Sequence, residues 1–258
     1  MDTDMDMTIG DPSSQMDYWE QQSYSDDCAV MAQVSLLHQF GVDLTEDQAI
    51  YECASHGWYT PGGGTLPEDV GNLMNLHGVT THDVQNATIS DLAQELKAGH
   101  GVIVGVNSSE LWDNGPLAEL KQWLCEICGL DNSTFNPADH AVVVTGIDVS
   151  DPSAPQVIIN DPGDPNGQGH AYPMDKFMDA WANSDFNYTA TDFTILHNDT
   201  TMGDLDLLDI GKWMVGGFVG GATLATTGGD IFAATAATVE AANLVESWFA
   251  DSDSVRDI

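Results

Sequence analysis

YWEQQSYSDDCAVMAQVSLL, residues 18–37, sets a polar, turn-rich lead-in directly before an apolar, helix-like run that begins at Cys28. The first turn of a helix has unpaired backbone N–H groups and a dipole that favours negative charge. A thiol in that position is more easily converted to the reactive thiolate. The stretch therefore predicts a helix that presents a nucleophile at its start, with Gln22 six residues before it.

The thiol needs a partner, because Asp26 and Asp27 directly before it oppose thiolate formation. Among eight histidines, His140 begins the most apolar predicted strand, where a rigid element can direct it toward a cleft. The next predicted strand ends in Asn160 and Asp161, followed by a Pro-Gly turn. Either side chain could orient the imidazole, but successive residues of a strand point to opposite faces, so only one of them can.

Gln22 has a predicted role at the same site. A tetrahedral intermediate of acyl transfer needs hydrogen-bond donors at its oxyanion. The backbone N–H of Cys28, at the start of the helix, is one candidate, and the side-chain amide of Gln22 is a natural second. Each residue alone is weak evidence, whereas glutamine, cysteine, histidine and the Asn-Asp pair in this order are much more specific.

The order of the predicted elements indicates the fold class. Helical patterns come first and β-branched runs later, which predicts an α+β domain whose N-terminal helical part packs on an antiparallel sheet. The predicted helices are 28–40, 46–56, 67–78, 88–101 and 172–184, and the predicted strands are 101–107, 140–148, 156–161 and 190–198.

Composition divides the chain into three parts. Residues 1–16 are predicted to be a disordered acidic N-terminus, residues 17–200 the catalytic domain, and residues 201–258 a Gly/Ala-rich, apolar helical appendage. Residues 213–229 are uncharged but shorter than the ~20 residues that a spanning helix needs. Residues 211–249 are therefore a candidate for self-association or membrane contact. The N-terminus lacks the pattern of a signal peptide, which favours a cytoplasmic location or export by a non-standard route.

Charge and cysteine content limit the possible partners. The chain has 41 acidic against 5 basic residues and a formal net charge of −36, so a nucleic-acid backbone would repel it. Cys125 and Cys128 form a CxxC pair, and Cys53 lies three residues before His56. Structural zinc, a disulfide and free thiols are all compatible with these spacings. We expect no bound metal and no cofactor.

Five segments together resemble one family: YWEQQSYSDDCAVMAQVSLL, GGGTLPEDVGNLMNLHGV, LKAGHGVIVGVN, DHAVVVTGID and VIINDPG. In this order they are similar to papain-like cysteine peptidases of the bacteriocin-processing, double-glycine-cleaving type and their stand-alone relatives, over about residues 17–197. The resemblance implies that Cys28 is the nucleophile, His140 the base, Asp161 the orienting acid and Gln22 part of the oxyanion hole. The chain departs from the family at Ala29, where glycine is frequent.

The expected function is therefore a thiol peptidase that hydrolyses a peptide bond in a peptide or protein substrate. The resemblance implies cleavage after small residues such as Gly-Gly. Gly62, Gly63 and Gly64, in the segment TPGGG, are predicted to line the substrate groove. Two alternatives remain open at this point: a non-hydrolytic relative that binds a peptide or leader segment, and an acyl transferase that uses the same residues.

Overall fold

The computed structural model of the chain describes residues 7–112 and 138–195, which form an α+β arrangement of helices and one sheet. Two 3-10 turns, Met16–Tyr18 and Pro67–Asp69, supplement the helices. The helices are α1 Pro12–Gln15, α2 Cys28–Gln39, α3 Glu46–His56, α4 Asn72–Leu76, α5 Ile89–Lys97, α6 Ser108–Trp112 and α7 Met174–Ala182. The strands are β1 Thr8–Gly10, β2 Thr81–Val84, β3 His100–Val106, β4 His140–Asp148, β5 Gln156–Asn160, β6 His170–Pro173 and β7 Tyr188–Thr194.

The sheet is antiparallel at every described pairing, as expected from the order of the sequence patterns. Its strand order is β2-β7-β3-β4-β5-β6, and β1 pairs with the far end of β4. Strand β4 is buried from His140 to Ile147, because β3 and β5 flank it and α2 packs on it. The two strand ends that bear His140 and Asp161 are therefore neighbours in the middle of the sheet.

Helix α2 is buried on all sides, from Ala29 through Leu37. It packs against the sheet and against α3 and α4, in a core that includes Leu36, Ile103 and Val143. Gln33 is a polar residue within this buried run. Its Oε1 accepts hydrogen bonds from the N–H groups of Gly71 and Leu73 at the start of α4. The start of α2, which bears Cys28, is thus fixed by the core.

Helices α3 and α5 begin at capping boxes, which explains why their limits could be predicted. At α3 the Thr45 side chain accepts from the N–H of Gln48, whose side chain accepts from the N–H of Thr45. Thr88 and Asp91 make the same reciprocal pair at α5. The predicted helix 46–56 is confirmed, and α5 confirms most of the predicted helix 88–101.

Two predicted helices are wrong in part. The pattern at 67–78 divides into a 3-10 turn and α4, because Gly71 adopts φ +96°, which breaks the helix. A Cβ at Gly71 would lie 2.6 Å from Thr81 Oγ1, so only glycine fits there. The pattern at 172–184 begins as strand β6, and the helix starts only after Pro173. The ladder continues through the N–H of Met174, which donates to the carbonyl of Pro155 at 2.9 Å. It ends there because Pro155 has no N–H to return the bond.

The prediction that residues 1–16 are disordered is wrong for residues 7–16. Strand β1 pairs with β4 through Thr8–Gly10, and Asp11 caps α1. The carbonyl of Gln15 accepts a hydrogen bond of 2.9 Å from Asn160 Nδ2. These short elements are held by strand pairing, by the side chains of Asp11 and Asn160, and by the burial of Ile9.

Several predictions lie outside the described residues: the CxxC pair Cys125 and Cys128, the end of the last predicted strand at 196–198, and the appendage 201–258 with its segment 211–249. Within 7–112 and 138–195, no helix is long and apolar enough to span a membrane.

Candidate active site

His140 and Asp161 lie at the ends of two adjacent antiparallel strands and contact each other directly. His140 is the first residue of β4, and Asp161 follows the last residue of β5. The distance between His140 Nε2 and Asp161 Oδ1 is 2.6 Å, and both side chains are buried. The strand pairing expected from the sequence therefore brings the imidazole and this carboxylate together.

Asn160 points to the opposite face of the sheet, so it is not the partner of His140. Besides donating to Gln15, its side chain accepts a hydrogen bond of 3.0 Å from the N–H of Gly169. Because successive residues of a strand point to opposite faces, only Asp161 faces His140. Asn160 instead binds the N-terminal segment and the loop before β6.

The Asp161 carboxylate is held by three donors. His140 and the N–H of Gly163, at 2.8 Å, share Oδ1, while the indole N–H of Trp112 donates to Oδ2 at 2.9 Å. Burial raises the pKa of Asp161, but these hydrogen bonds and the charge of His140 outweigh it and hold that pKa below its usual range. Asp161 is therefore an anion that fixes the ring. A Cβ at Gly163 would lie 2.8 Å from His140 Cε1, so the turn can approach the ring only as glycine.

The Cys28 side chain lies close enough to His140 to affect the pKa of the imidazole. Burial lowers the pKa of His140, but hydrogen bonds to Asp161 and to the Cys28 side chain, with their charges, outweigh it and raise that pKa to about 10. The indole of Trp112 packs edge-on against the imidazole, with ring centroids 5.1 Å apart. Since Nε2 is occupied by Asp161, Nδ1 is the nitrogen left to exchange a proton with the thiol. The raised pKa favours a protonated imidazole beside the Cys28 side chain.

The backbone of Gln22 lies near these residues, and its side-chain amide makes a hydrogen bond within its own loop. Its N–H donates to the carbonyl of Pro162, which follows Asp161, at 2.9 Å. Its side-chain Nε2 donates to the carbonyl of Tyr24 at 2.6 Å, which leaves a second amide N–H for another acceptor. Gln22 is not among the residues that line the groove. Its role at an oxyanion stays a prediction.

A groove of about 690 Å³ runs past Cys28 and His140. The predicted glycines form one of its walls, in a tight turn between Thr60 and Gly64 that is closed by backbone hydrogen bonds of 2.9 Å. The side chain of Asp26 accepts from the N–H of Gly62, which ties this turn to the residues before the thiol. The glycine segment is thus a defined turn beside Cys28. The groove-lining acids are Asp26, Glu68, Asp83, Asp139 and Asp185.

Three features of the site were missed in the sequence. Trp112 bonds to Asp161 from a short helix, and Trp19 donates its indole N–H to the Asp161 carbonyl at 2.6 Å. Neither tryptophan lies in a motif that marks it. Gly163 and Gly167 pack against His140 and Asp161, and the glycines of DPGDPNGQG were the signal for this close approach.

Cys53, the other cysteine in the described part, has a different setting. It is buried in the core, and desolvation, with smaller effects from Glu52 and Asp69, raises its pKa to about 12. Across residues 7–112 and 138–195, no group of three or more His, Cys, Asp or Glu side chains is arranged to hold a metal ion.

A helix that starts at a cysteine and packs on an antiparallel sheet, with histidine and aspartate at adjacent strand ends, is the arrangement of a papain-like peptidase fold. The chain belongs to the C39-like peptidases: the model described as Peptidase_C39 like family matches residues 7–189.

Curated relatives and solved structures are similar to the chain. Uncharacterized proteins of Mycobacterium bovis and Mycobacterium tuberculosis are each 33% identical over 202 residues, covering 68% of this chain and 80% of theirs. A structure described as a C39-like peptidase from Bacillus anthracis has 16% identity and a TM-score of 0.49, covering 73% of this chain and 98% of that one. The peptidase domain of Streptococcus ComA, a bi-functional ABC transporter, has 16% identity and a TM-score of 0.44, with 67% and 96% covered.

Proposed function

We propose that this chain is a thiol peptidase with Cys28 as nucleophile, His140 as general acid and base, and Asp161 as the residue that orients the imidazole. One observation carries the proposal: His140 bonds to Asp161, and Cys28 lies in the same groove, close enough to raise the pKa of the imidazole. A nucleophile, a base and an orienting group in this relation are what covalent acyl transfer needs.

In the proposed reaction, His140 takes the proton of the Cys28 thiol. The sulfur Sγ attacks the carbonyl carbon of a peptide bond, and the carbonyl oxygen becomes an oxyanion. The N–H of Cys28 and the free amide N–H of Gln22 donate to that oxygen. His140 gives its proton to the leaving amine as the C–N bond breaks, which leaves a thioester. His140 then takes a proton from water, whose oxygen attacks the thioester. The C–S bond breaks, the carboxylic acid is released, and His140 returns the proton to Sγ.

We further propose that the peptide lies along the groove past the glycine turn Gly62–Gly64. A wall without side chains allows the backbone of a peptide to approach closely. This supports small residues, such as Gly-Gly, before the scissile bond.

The test uses an internally quenched peptide with Gly-Gly before the cut, with wild type, Cys28→Ala and the matched control Cys53→Ala. Cys28→Ala should reduce turnover below detection. Cys53→Ala should retain turnover, because Cys53 is buried in the core and its raised pKa keeps the thiol protonated and unreactive. Alkylation by iodoacetamide at neutral pH, followed site by site by peptide mass mapping, should modify Cys28 before Cys53. Equal reactivity of the two thiols would contradict the assignment.

The same assay separates the alternatives. Mass analysis of the acyl product shows a carboxylic acid for hydrolysis and an amide when an added amine is the acceptor. Tight binding of the intact peptide by wild type, with no product of either kind, would replace the peptidase proposal by a binding function.

A further inference from the structure

Asp27, directly before Cys28, has an unusual environment for an acidic residue. It stands at the N-cap of α2, yet its side chain does not cap the helix. It is 0% exposed, and within the described residues neither of its carboxyl oxygens makes a well-formed hydrogen bond; only its own backbone N–H is near enough to lower its pKa. An ionised carboxylate that is buried without a donor is strongly unfavourable, so this side chain calls for another explanation.

The neighbour of the Asp27 carboxyl is a second carboxyl, that of Glu46 at the start of α3. Two carboxyl groups can hydrogen-bond only if one of them carries a proton. Glu46 also accepts a hydrogen bond of 2.5 Å from the N–H of Ser23, which stabilises its anion. The proton of the pair therefore belongs on Asp27 and the charge on Glu46.

The titration behaviour of the two groups agrees with this geometry. Burial, followed by the hydrogen bond and the charge of Glu46, raises the pKa of Asp27 to about 7. Burial raises the pKa of Glu46 as well, but its hydrogen bonds, led by the one from Ser23, outweigh it and lower that pKa. The groups that face Asp27 are anionic or neutral: Glu46 from α3, Tyr24 and Asp26 from its own loop, Tyr59 from the segment after α3, and Cys28 from α2.

We propose that Asp27 is a positioning residue for Cys28: its neutral acid form, hydrogen-bonded to Glu46, keeps negative charge away from the thiolate, and loss of that proton switches the site off. The proposal rests on the peptidase function given above. It explains how a nucleophile can follow two consecutive aspartates, since Asp26 is turned toward Gly62 and Asp27 is uncharged when the site is active.

Loss of the proton has two consequences. A second negative charge appears beside Cys28 and disfavours its thiolate. The same charge repels Glu46, whose bond to Ser23 holds the loop that bears Gln22. Both effects lower activity as the pH rises through the range in which Asp27 ionises.

Two substitutions give the pair the same total charge and differ in where that charge lies. In Asp27→Asn the amide donates permanently to the Glu46 carboxylate, so the charge stays away from Cys28. In Glu46→Gln the amide donates to an ionised Asp27, so the charge lies beside Cys28, while the Gln oxygen still accepts from Ser23. Asp43→Asn, at an exposed position in the loop after α2, is the control for loss of one acid elsewhere.

For wild type and Asp43→Asn, kcat/KM should fall with a midpoint near pH 7, and for Asp27→Asn that midpoint should move toward the pKa of His140, about 10. At pH 8, iodoacetamide should alkylate Cys28 in Glu46→Gln about tenfold more slowly than in Asp27→Asn, as expected for one nearby unit charge. Thermal melting of each variant verifies folding.

A direct measurement on the wild-type protein completes the test. In wild type labelled with ¹³C, the carboxyl resonance of Asp27 should titrate near pH 7, well above an ordinary aspartate. Titration near pH 4, or identical alkylation profiles in Asp27→Asn and Glu46→Gln, would overturn the proposal. Because alkylation and the resonance need no substrate, either result is distinguishable from a failure of the peptidase function itself.

Discussion

Two tryptophans donate their indole N–H groups to the same residue, Asp161, but to different atoms of it. Trp112 donates to the side-chain carboxylate, whereas Trp19 donates to the backbone carbonyl. A hydrogen bond to a charged group contributes about 1.5–3 kcal/mol, more than one between neutral groups. The first bond acts on the charge that orients His140, and the second acts only on the position of the chain.

Trp112→Phe should therefore lower kcat/KM about tenfold or more, because it removes one of the three donors to the carboxylate while the ring still packs on His140. Trp19→Phe is the matched control, since it also removes one indole donor to Asp161 and should reduce stability more than activity. Kinetics with the quenched peptide and thermal unfolding measure both. Equal losses of kcat/KM in the two variants would show that the Trp112 bond has no special role.

At the residue scale, sequence reasoning succeeded where strand geometry dictates the outcome. Adjacent antiparallel strand ends place His140 beside the residue that closes the next strand, and the pairing of β4 with β5 confirms this juxtaposition. The catalytic roles of Cys28, His140, Asp161 and Gln22 remain predictions. The Trp112 contact and the pairing of Asp27 with Glu46 depend on the tertiary packing of separate elements, which no local pattern encodes.

Among the elements, α2 and α4 are joined by one buried side chain. Gln33 Oε1 accepts hydrogen bonds of 2.9 and 3.1 Å from the N–H groups of Gly71 and Leu73, and its Nε2 donates to the carbonyl of Ala29. The first N–H groups of a helix have no partner within that helix. Gln33 supplies one from the neighbouring helix, within the core.

Gln33→Met should lower the free energy of unfolding by about 2 kcal/mol or more, since it leaves two buried N–H groups without an acceptor at a cost of about 1–3 kcal/mol each. Gln94→Met, the same change at an exposed position of α5, should change it by less than about 0.5 kcal/mol. Urea unfolding gives both values. A loss below about 1 kcal/mol at Gln33 would mean that solvent or another group replaces the lost oxygen.

Element limits were predictable where capping residues mark them, as at Thr45 and Thr88. The limits of a strand were not predictable where the strand forms only by pairing with a neighbouring strand. Strands β1 and β2 are short and partly polar, and they exist because β4 and β7 offer unpaired backbone groups to them. Propensity over three or four residues is too weak a signal to identify such strands.

For the molecule as a whole, charge is the dominant property. Forty-one acidic residues against five basic ones give strong self-repulsion, which is relieved when salt shortens the range of the interaction. The groove shares this character, because five carboxylates line it. The melting temperature should therefore rise strongly with ionic strength.

Raising NaCl from about 0.05 M to 1 M at pH 7.5 should raise the melting temperature by roughly 5 °C, because the Debye length falls from over 10 Å to about 3 Å. Most of the gain should occur below about 0.5 M, as screening saturates. At pH 4.5, where part of the carboxylates carry protons, the gain should shrink. An increase that is linear in salt and equal at both pH values would instead indicate exclusion of salt from the protein surface.

The distance along the chain between Cys28 and its partners also has a consequence for synthesis. Asp161 leaves the ribosome about 130 residues after Cys28, which at about 5–20 residues per second is a delay of about 7–26 s. During that interval the nascent chain carries the Cys28 thiol without the complete His140–Asp161 pair. Asn160, the residue before Asp161, donates a hydrogen bond to the carbonyl of Gln15. The folding step that brings Asp161 to His140 therefore also fixes the N-terminal segment around Gln15. Any activity that needs Cys28, His140 and Asp161 together would thus arise only late in translation, after Asp161 has been made.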